Sequence, residues 1–261
     1  WNLIKTERCN MFELRPNKIK NKLAKGEITT VLMSPVAFSP DMVEFAGQLG
    51  FDGIWIETEH GAIDFSDIPN LTRAADLYGM TSIVRVNYNE QGLIYRTFDV
   101  GAQGVVVPHI DTKQDALNVV EGSKFAPLGK RGNFVSRQGI GVDNYFEKAN
   151  LETLVVVLIE DIKAINNLDE ILSVDNIDVF SVAPGDLAQS IGHLGNISHP
   201  DVQSTIDKAI DKIVNKNKIA GTLVTEDNVQ KYVELGAKFL MTSFDPWLKN
   251  GAKTFLNRIK I

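Results

Sequence analysis

Apolar residues fall along this chain in two rhythms, short unbroken runs and longer stretches with one apolar face at helical spacing. Residues 17–25 carry the helical rhythm, and Gly26 closes them. Thr30-Val31-Leu32-Met33 then reads as a strand, and Met42 to Leu49 as a helix stopped by Gly50. Gly53 to Glu57 predicts a second strand, before a helix over Phe65 to Tyr78. Ser82 to Val86 predicts a third, before a helix over Gly92 to Val100. Gly104 to Pro108, Leu154 to Ile159, Asp178 to Val182, Ile219 to Val224 and Phe239 to Thr242 supply the other five. Helices are expected near Lys113 to Ser123, over Ile162 to Leu172, over Pro200 to Asn215, and after the last two strands. A polar segment precedes the helix at Pro200, and Pro127 to Gly141 reads as a loop rich in glycine and arginine.

Most of the short runs are apolar at every position, as in a parallel sheet covered by helices on its outer face. Eight strand-then-helix units predict an α/β fold, a (β/α)8 TIM barrel, occupying 1–261 as a single domain. No G-x-G-x-x-G or G-x-x-x-x-G-K-[ST] pattern follows a strand, so an open nucleotide-binding sheet lacks its signature.

Composition narrows the partners. With 261 residues, 44% hydrophobic and 23% charged, the chain can build a large core. A net charge of −6 argues against broad binding to nucleic acid or to anionic membranes. No apolar run nears the ~20 residues of a membrane helix, and Trp1 to Lys20 holds no signal-peptide core. A soluble, cytoplasmic protein is the expectation. Cys9 is the only cysteine, which rules out an intrachain disulfide and thiolate metal clusters.

In such a barrel, chemistry collects at the carboxyl ends of the strands. Ionisable residues stand there in series: Glu57, Glu59 and His60, then Arg85, then Glu160 and Asp161, Asp186 and Asp245. Glu160 and Asp186 follow apolar runs on adjacent strands, where two carboxylates could share a divalent ion such as Mg²⁺ or Mn²⁺. The same residues would also suit a helix dipole and an N-cap. Arg85, inside an apolar strand, needs Glu57, Glu59 or an anionic ligand beside it. His60 and His109 are candidates for proton transfer, whereas His193 and His199 lie in polar connections and are expected to be solvated. Lys124, Lys130, Arg131 and Arg137 could draw a carboxylate or phosphate to their loop, or simply be hydrated. No lysine lies in a strand core, so Schiff-base chemistry has no residue to use, and a metal-stabilised enolate is the available alternative.

Taken in order, several segments resemble one family. They are Gly50-Phe51-Asp52 leading to Glu59-His60-Gly61, Val84-Arg85-Val86, Asp99-Val100-Gly101-Ala102-Gln103, Ala126-Pro127-Leu128-Gly129-Lys130-Arg131-Gly132, Ile159-Glu160 and Pro184-Gly185-Asp186-Leu187. The chain from Asn17 to Asp245 is similar to the HpcH/HpaI aldolases, metal-dependent class II pyruvate aldolases that include 4-hydroxy-2-oxoheptanedioate aldolase. The resemblance implies reversible cleavage of a 4-hydroxy-2-oxo acid to pyruvate and an aldehyde. It implies Glu160 and Asp186 as ligands of Mg²⁺, Mn²⁺ or a similar ion such as Co²⁺, and Arg85 as the group that binds the keto oxygen. It further implies that His60, oriented by Asp99, moves protons and that the backbone around Gly185 holds the substrate carboxylate.

Two positions depart from the family pattern. Leu158 replaces a glutamine, and Ala183-Pro184-Gly185-Asp186 replaces Gly-Pro-Ala-Asp. The family also includes a citrate synthase of siderophore biosynthesis, so Leu158 leaves open the condensation of an oxo acid such as oxaloacetate with acetyl-CoA. A homohexamer, a dimer of trimers, is implied as well, with the last helix, about 246–261, exchanged between subunits. Trp247, Leu248, Phe255 and Leu256 suit that exchange, or packing on the chain's own barrel.

Overall fold

The computed structural model describes residues 12–34 and 38–259. The eight apolar runs form β1 (Thr29–Met33), β2 (Gly53–Glu57), β3 (Thr81–Arg85), β4 (Gly104–Val107), β5 (Leu154–Ile159), β6 (Val179–Val182), β7 (Ala220–Leu223) and β8 (Phe239–Ser243). Every neighbouring pair is parallel, and β1 pairs with β8, so the sheet closes in chain order. The helices are α1 (Lys18–Ala24), α2 (Pro40–Gln48), α3 (Ile68–Leu77), α4 (Gln91–Asp99), α5 (Lys113–Ser123), α6 (Tyr145–Glu152), α7 (Ile162–Asn166), α8 (Leu168–Leu172), α9 (Pro184–Ser190), α10 (Pro200–Asn215), α11 (Val229–Glu234) and α12 (Asp245–Asn257). This is the (β/α)8 barrel that the eightfold pattern predicts.

The unbroken apolar runs are explained by burial on both faces. Trp55, Ile83, Val106, Val156, Leu158 and Phe239 fill the barrel. Their strand neighbours Ile54, Ile56, Val84, Val105, Val155 and Val157 pack outward under the helices. At the amino-terminal end α1 plugs the barrel, with Ile19 fully buried. A Cβ at Gly53 would lie 2.5 Å from Ile19 Cδ1 and 2.8 Å from Thr81 O, so the plug seats only against a glycine. Asn17 fastens it, accepting from Thr81 Oγ1 (3.0 Å) and donating to Glu152 O (2.9 Å).

Three features differ from the pattern-based expectation. The segment Ile162 to Leu172 is two helices, α7 and α8, broken at Asn167. Helix α6 buries only Tyr145 and Ala149, too few positions to declare a helical period. Helix α9 starts on Pro184-Gly185, and its seven residues lie within the stretch read as polar connection.

The basic loop is also corrected. It lies at the amino-terminal end of the barrel, with its cations engaged inside the chain rather than offered to an anion. Lys130 pairs with Glu121 (2.7 Å) and Arg137 with Asp76 (2.8 Å). Arg131 pairs with Asp99 (3.2 Å) and lies over the rings of Phe98 and Phe125 at 4.8 and 4.4 Å. Lys124 is fully buried, donating to Asn150 O (2.9 Å) and Thr153 O (2.8 Å), and burial pulls its amine down to about 7.

Lys124→Met would leave Asn150 O without its donor, while Thr153 O keeps Lys20 Nζ (3.0 Å), and should cost about 1–3 kcal/mol in urea unfolding at pH 7. Between pH 7 and the ordinary lysine range the unfolded chain holds a proton that the folded chain has released. Stability supplied by this group therefore rises with pH across that window. Comparing wild type and variant at pH 7 and pH 9 should show the gap between them widening.

Candidate active site

Strand alternation builds the mouth of the barrel. Glu57 shares the inward face with Trp55, Arg85 with Ile83, and Glu160 continues the inward series of Val156 and Leu158. Glu57 and Arg85 are register partners across β2 and β3, which sets a carboxylate and a guanidinium side by side at the rim. Arg85 Nη1 lies 3.4 Å from Glu57 Oε2, while Nη2 contacts Glu59 Oε2 and lies 3.6 Å from Glu160 Oε2. One guanidinium thus stands among three carboxylates, all four groups largely out of water.

Each carboxylate has a second anchor. Glu57 accepts from Trp55 Nε1 (3.1 Å) and from the backbone N–H groups of Glu59 (2.8 Å) and His60 (3.1 Å). These bonds fold the chain sharply after β2 and bring Glu59 back toward Arg85. Glu160 Oε1 accepts from the backbone N–H of His109 (2.7 Å). Its other oxygen, Oε2, is buried without a hydrogen-bond partner. Burial foremost, with the nearby charge of Asp186 adding to it, pushes the Glu160 carboxyl up, against the His109 N–H and the Arg85 charge.

Asp186 reaches this place because Ala183 N–H donates to Ile159 O (3.1 Å), so the chain leaving β6 runs beside the end of β5. It sits in the first turn of α9; the N-cap is Ala183, so Asp186 is not the capping residue. Asp161, not Glu160, caps α7, accepting from Lys163 N (2.8 Å). Two carboxylates, one with an orphaned buried oxygen, are a fitting donor set for a hard divalent cation. At Gly185 a Cβ would meet nothing within 4 Å, which leaves open space above that turn.

The two histidines at the mouth flank Glu59. His60 Nε2 lies 3.6 Å from Glu59 Oε2 and His109 Nε2 3.4 Å from Glu59 Oε1, with both rings more than 60% exposed. Asp99 is not with them. It ends α4 at the amino-terminal end of the barrel, bound to Arg131, so within one chain it cannot orient His60. Asp245 also stands apart, bonded to Ser243 and Ser34.

His193, His199 and Asp201 form a separate group in which the two imidazoles stack at 3.5 Å with planes 17° apart. The two histidines are partly buried rather than fully solvated, whereas Asp201 is exposed. Nearly parallel rings hold their nitrogen lone pairs in parallel planes, so they do not converge on one ion as they stand. His199 Nδ1 instead accepts from Asp201 N (3.2 Å) and caps α10.

Residues 30–249 match the family model described as HpcH/HpaI aldolase/citrate lyase. The chain belongs to that family. A hydroxypyruvate/pyruvate aldolase from Roseobacter denitrificans is 35% identical over 234 residues, covering 88% of this chain and 91% of that protein. A 5-keto-4-deoxy-D-glucarate aldolase from Escherichia coli O157:H7 is 35% identical over 237 residues, with the same coverage. A solved HpcH/HpaI aldolase/citrate lyase family protein from Burkholderia cenocepacia J2315 superposes with a TM-score of 0.86 at 28% identity, covering 92% of this chain and 98% of that one. A solved citrate synthase, SbnG, is 24% identical with a TM-score of 0.83 and shares the fold alone.

Within this HpcH/HpaI member, the strands carry no lysine, as the pattern predicts. The support of Glu57 by Trp55 was readable only as two inward positions on one strand. The hold of His109 on Glu160 had no local signal, because it joins residues 51 positions apart.

Arg85→Met would leave three carboxylates in a dry site without their shared cation, and should destabilise the fold by about 3–5 kcal/mol at neutral pH. Protonating the carboxylates relieves that repulsion, so urea unfolding at pH 5 should recover part of the loss.

Proposed function

We propose that the chain is a divalent-metal-dependent aldolase that reversibly cleaves a 4-hydroxy-2-oxo acid to pyruvate and an aldehyde. The observation that carries the proposal is the orphaned oxygen of Glu160, buried beside Arg85 and within the field of Asp186. The aldolase names of the relatives support the reaction class and a small oxo acid as substrate. Glu160 and Asp186 would hold the ion, and their all-oxygen character favours Mg²⁺ or Mn²⁺, with Co²⁺ as a working substitute. Bound there, the ion supplies Lewis-acid stabilisation of the negative charge that cleavage places on the 2-oxo group.

The remaining work falls to side chains of the mouth. Arg85 binds the keto oxygen and adds fixed positive charge where negative charge gathers. The backbone at Gly185 and Asp186 receives the substrate carboxylate over the open turn of α9. His60, exposed at the rim, takes the proton of the 4-hydroxyl and returns it in the reverse direction. The field at this face suits a cation, since none of the eight strand-to-helix connections contains lysine or arginine. Leu158, buried two residues before Glu160, is the motive for the second reading, condensation of oxaloacetate with acetyl-CoA. Release of free thiol on mixing those substrates would favour it over cleavage.

Assembly belongs to the same proposal. Helix α12 buries none of its residues, and Leu248, Phe255 and Leu256 are exposed. An open apolar groove of about 630 Å³ lies along it, lined by Met42, Phe45, Leu49, Trp247, Leu248 and Ala252. A helix with an apolar face and no buried residue lacks the packing that normally sustains it. Exchange of this segment within a homohexamer of paired trimers would provide that packing. Lack of any disulfide-forming cysteine pair accords with a cytoplasmic setting. Among the described residues, no helix is long and apolar enough to cross a membrane.

Pyruvate release from a panel of 4-hydroxy-2-oxo acids should require added Mg²⁺, Mn²⁺ or Co²⁺, stop with EDTA, and fall to background in Glu160→Ala and Asp186→Ala. Activity that survives complete metal stripping would refute the proposal. Leu248→Asp combined with Phe255→Asp should lower the mass measured by light scattering to that of smaller species; an unchanged mass would remove α12 from the assembly.

A further inference from the structure

Four described residues other than glycine have backbones in the left-handed region, and three are asparagines, which adopt it with little cost. The fourth is His109, at φ 56, directly after Pro108 where β4 ends. Its imidazole is 64% exposed, so side-chain packing does not pin this conformation. The hydrogen bond from its N–H to Glu160 Oε1, at 2.7 Å, is what the conformation achieves. A residue continuing β4 would aim that N–H in the plane of the sheet, toward a neighbouring strand. The left-handed turn brings it onto a carboxylate inside the mouth instead.

His109 Nδ1 also lies 3.4 Å from the same oxygen, so Oε1 is engaged from one side by a single residue. Oε2 is left buried and without a hydrogen bond, 3.6 Å from Arg85 Nη2. We infer that His109 is a positioning residue whose left-handed backbone clamps Glu160 Oε1, so that Glu160 meets a divalent ion through Oε2 alone. One-oxygen ligation matters because a carboxylate that chelates takes two coordination positions. A ligand bound by one oxygen leaves a further position for substrate. The inference rests on the proposed metal site, and concerns how one of its ligands is presented.

The test compares substitutions that differ in backbone tolerance and share the loss of the imidazole. Glycine accepts the left-handed region freely, whereas β-branched valine and threonine do not. Mn²⁺ titration of metal-stripped protein by calorimetry, with circular dichroism confirming the fold, gives the affinities. His109→Gly should bind Mn²⁺ within about 3-fold of wild type because the clamping N–H is retained. His109→Val should bind it at least about 10-fold more weakly, as for loss of an outer partner of a metal ligand. If His109→Val does not fold, His109→Thr carries the same expectation. The visible absorption of bound Co²⁺, which reports the coordination shell, should change in the β-branched variant and stay as in wild type in His109→Gly. Equal weakening in both variants would assign the effect to the imidazole and overturn the inference, as would wild-type affinity in His109→Val. Glu160→Gln separates this inference from the metal proposal. If it binds Mn²⁺ as tightly as wild type, the metal proposal itself fails; if it does not bind, the His109 variants alone decide.

Discussion

A guanidinium held among three buried carboxylates is the interaction on which the mouth of this barrel depends. Arg85 alone cannot neutralise Glu57, Glu59 and Glu160, and Asp186 adds a further negative charge nearby. Removing ionised groups from water is costly unless each finds a partner. Glu57 finds three donors besides Arg85 and Glu59 pairs with Arg85, while Glu160 keeps one oxygen without a hydrogen bond. The residual negative charge and that free oxygen make the same request, for a cation. That request is the physical basis of the proposed cation site.

The two ends of the barrel divide the charged residues between structure and chemistry. At the amino-terminal end, Lys124, Arg131 and Arg137 are consumed by backbone carbonyls, aromatic faces and single carboxylates. Those contacts hold the long loop against the barrel floor, beside the plug formed by α1. At the carboxyl end, the connections carry acids and histidines, with Arg85 supplied by a strand. A scaffold made rigid below can hold a charged, incompletely paired cluster above. Helix α12 breaks this economy, since it buries no residue and leaves Leu248, Phe255 and Leu256 exposed.

By itself, the sequence determined the barrel. Eight apolar runs of strand length alternate with helical periods, and unbroken runs can be buried on both faces only within a helix-covered parallel sheet. Local pattern also placed Glu57, Arg85 and Glu160 at strand ends, because strand position and chain position coincide there, whereas Asp186 lies past β6 in the first turn of α9. Helices α6 and α9 were not visible, since one buries two residues and the other opens on Pro-Gly.

Only the tertiary structure decided which charges meet. Glu57, Glu59, Arg85, His109 and Glu160 come from four strand ends, and closure of the barrel brings them within hydrogen-bond or ion-pair reach. The same closure sends Asp99 to the opposite end from His60, although both lie in segments that read alike as functional, and turns a basic loop into internal support. Periodicity reports which face of an element is buried, and that is local. Whether a carboxylate ends beside an arginine or in water depends on strand register and closure, which no stretch of the chain carries alone.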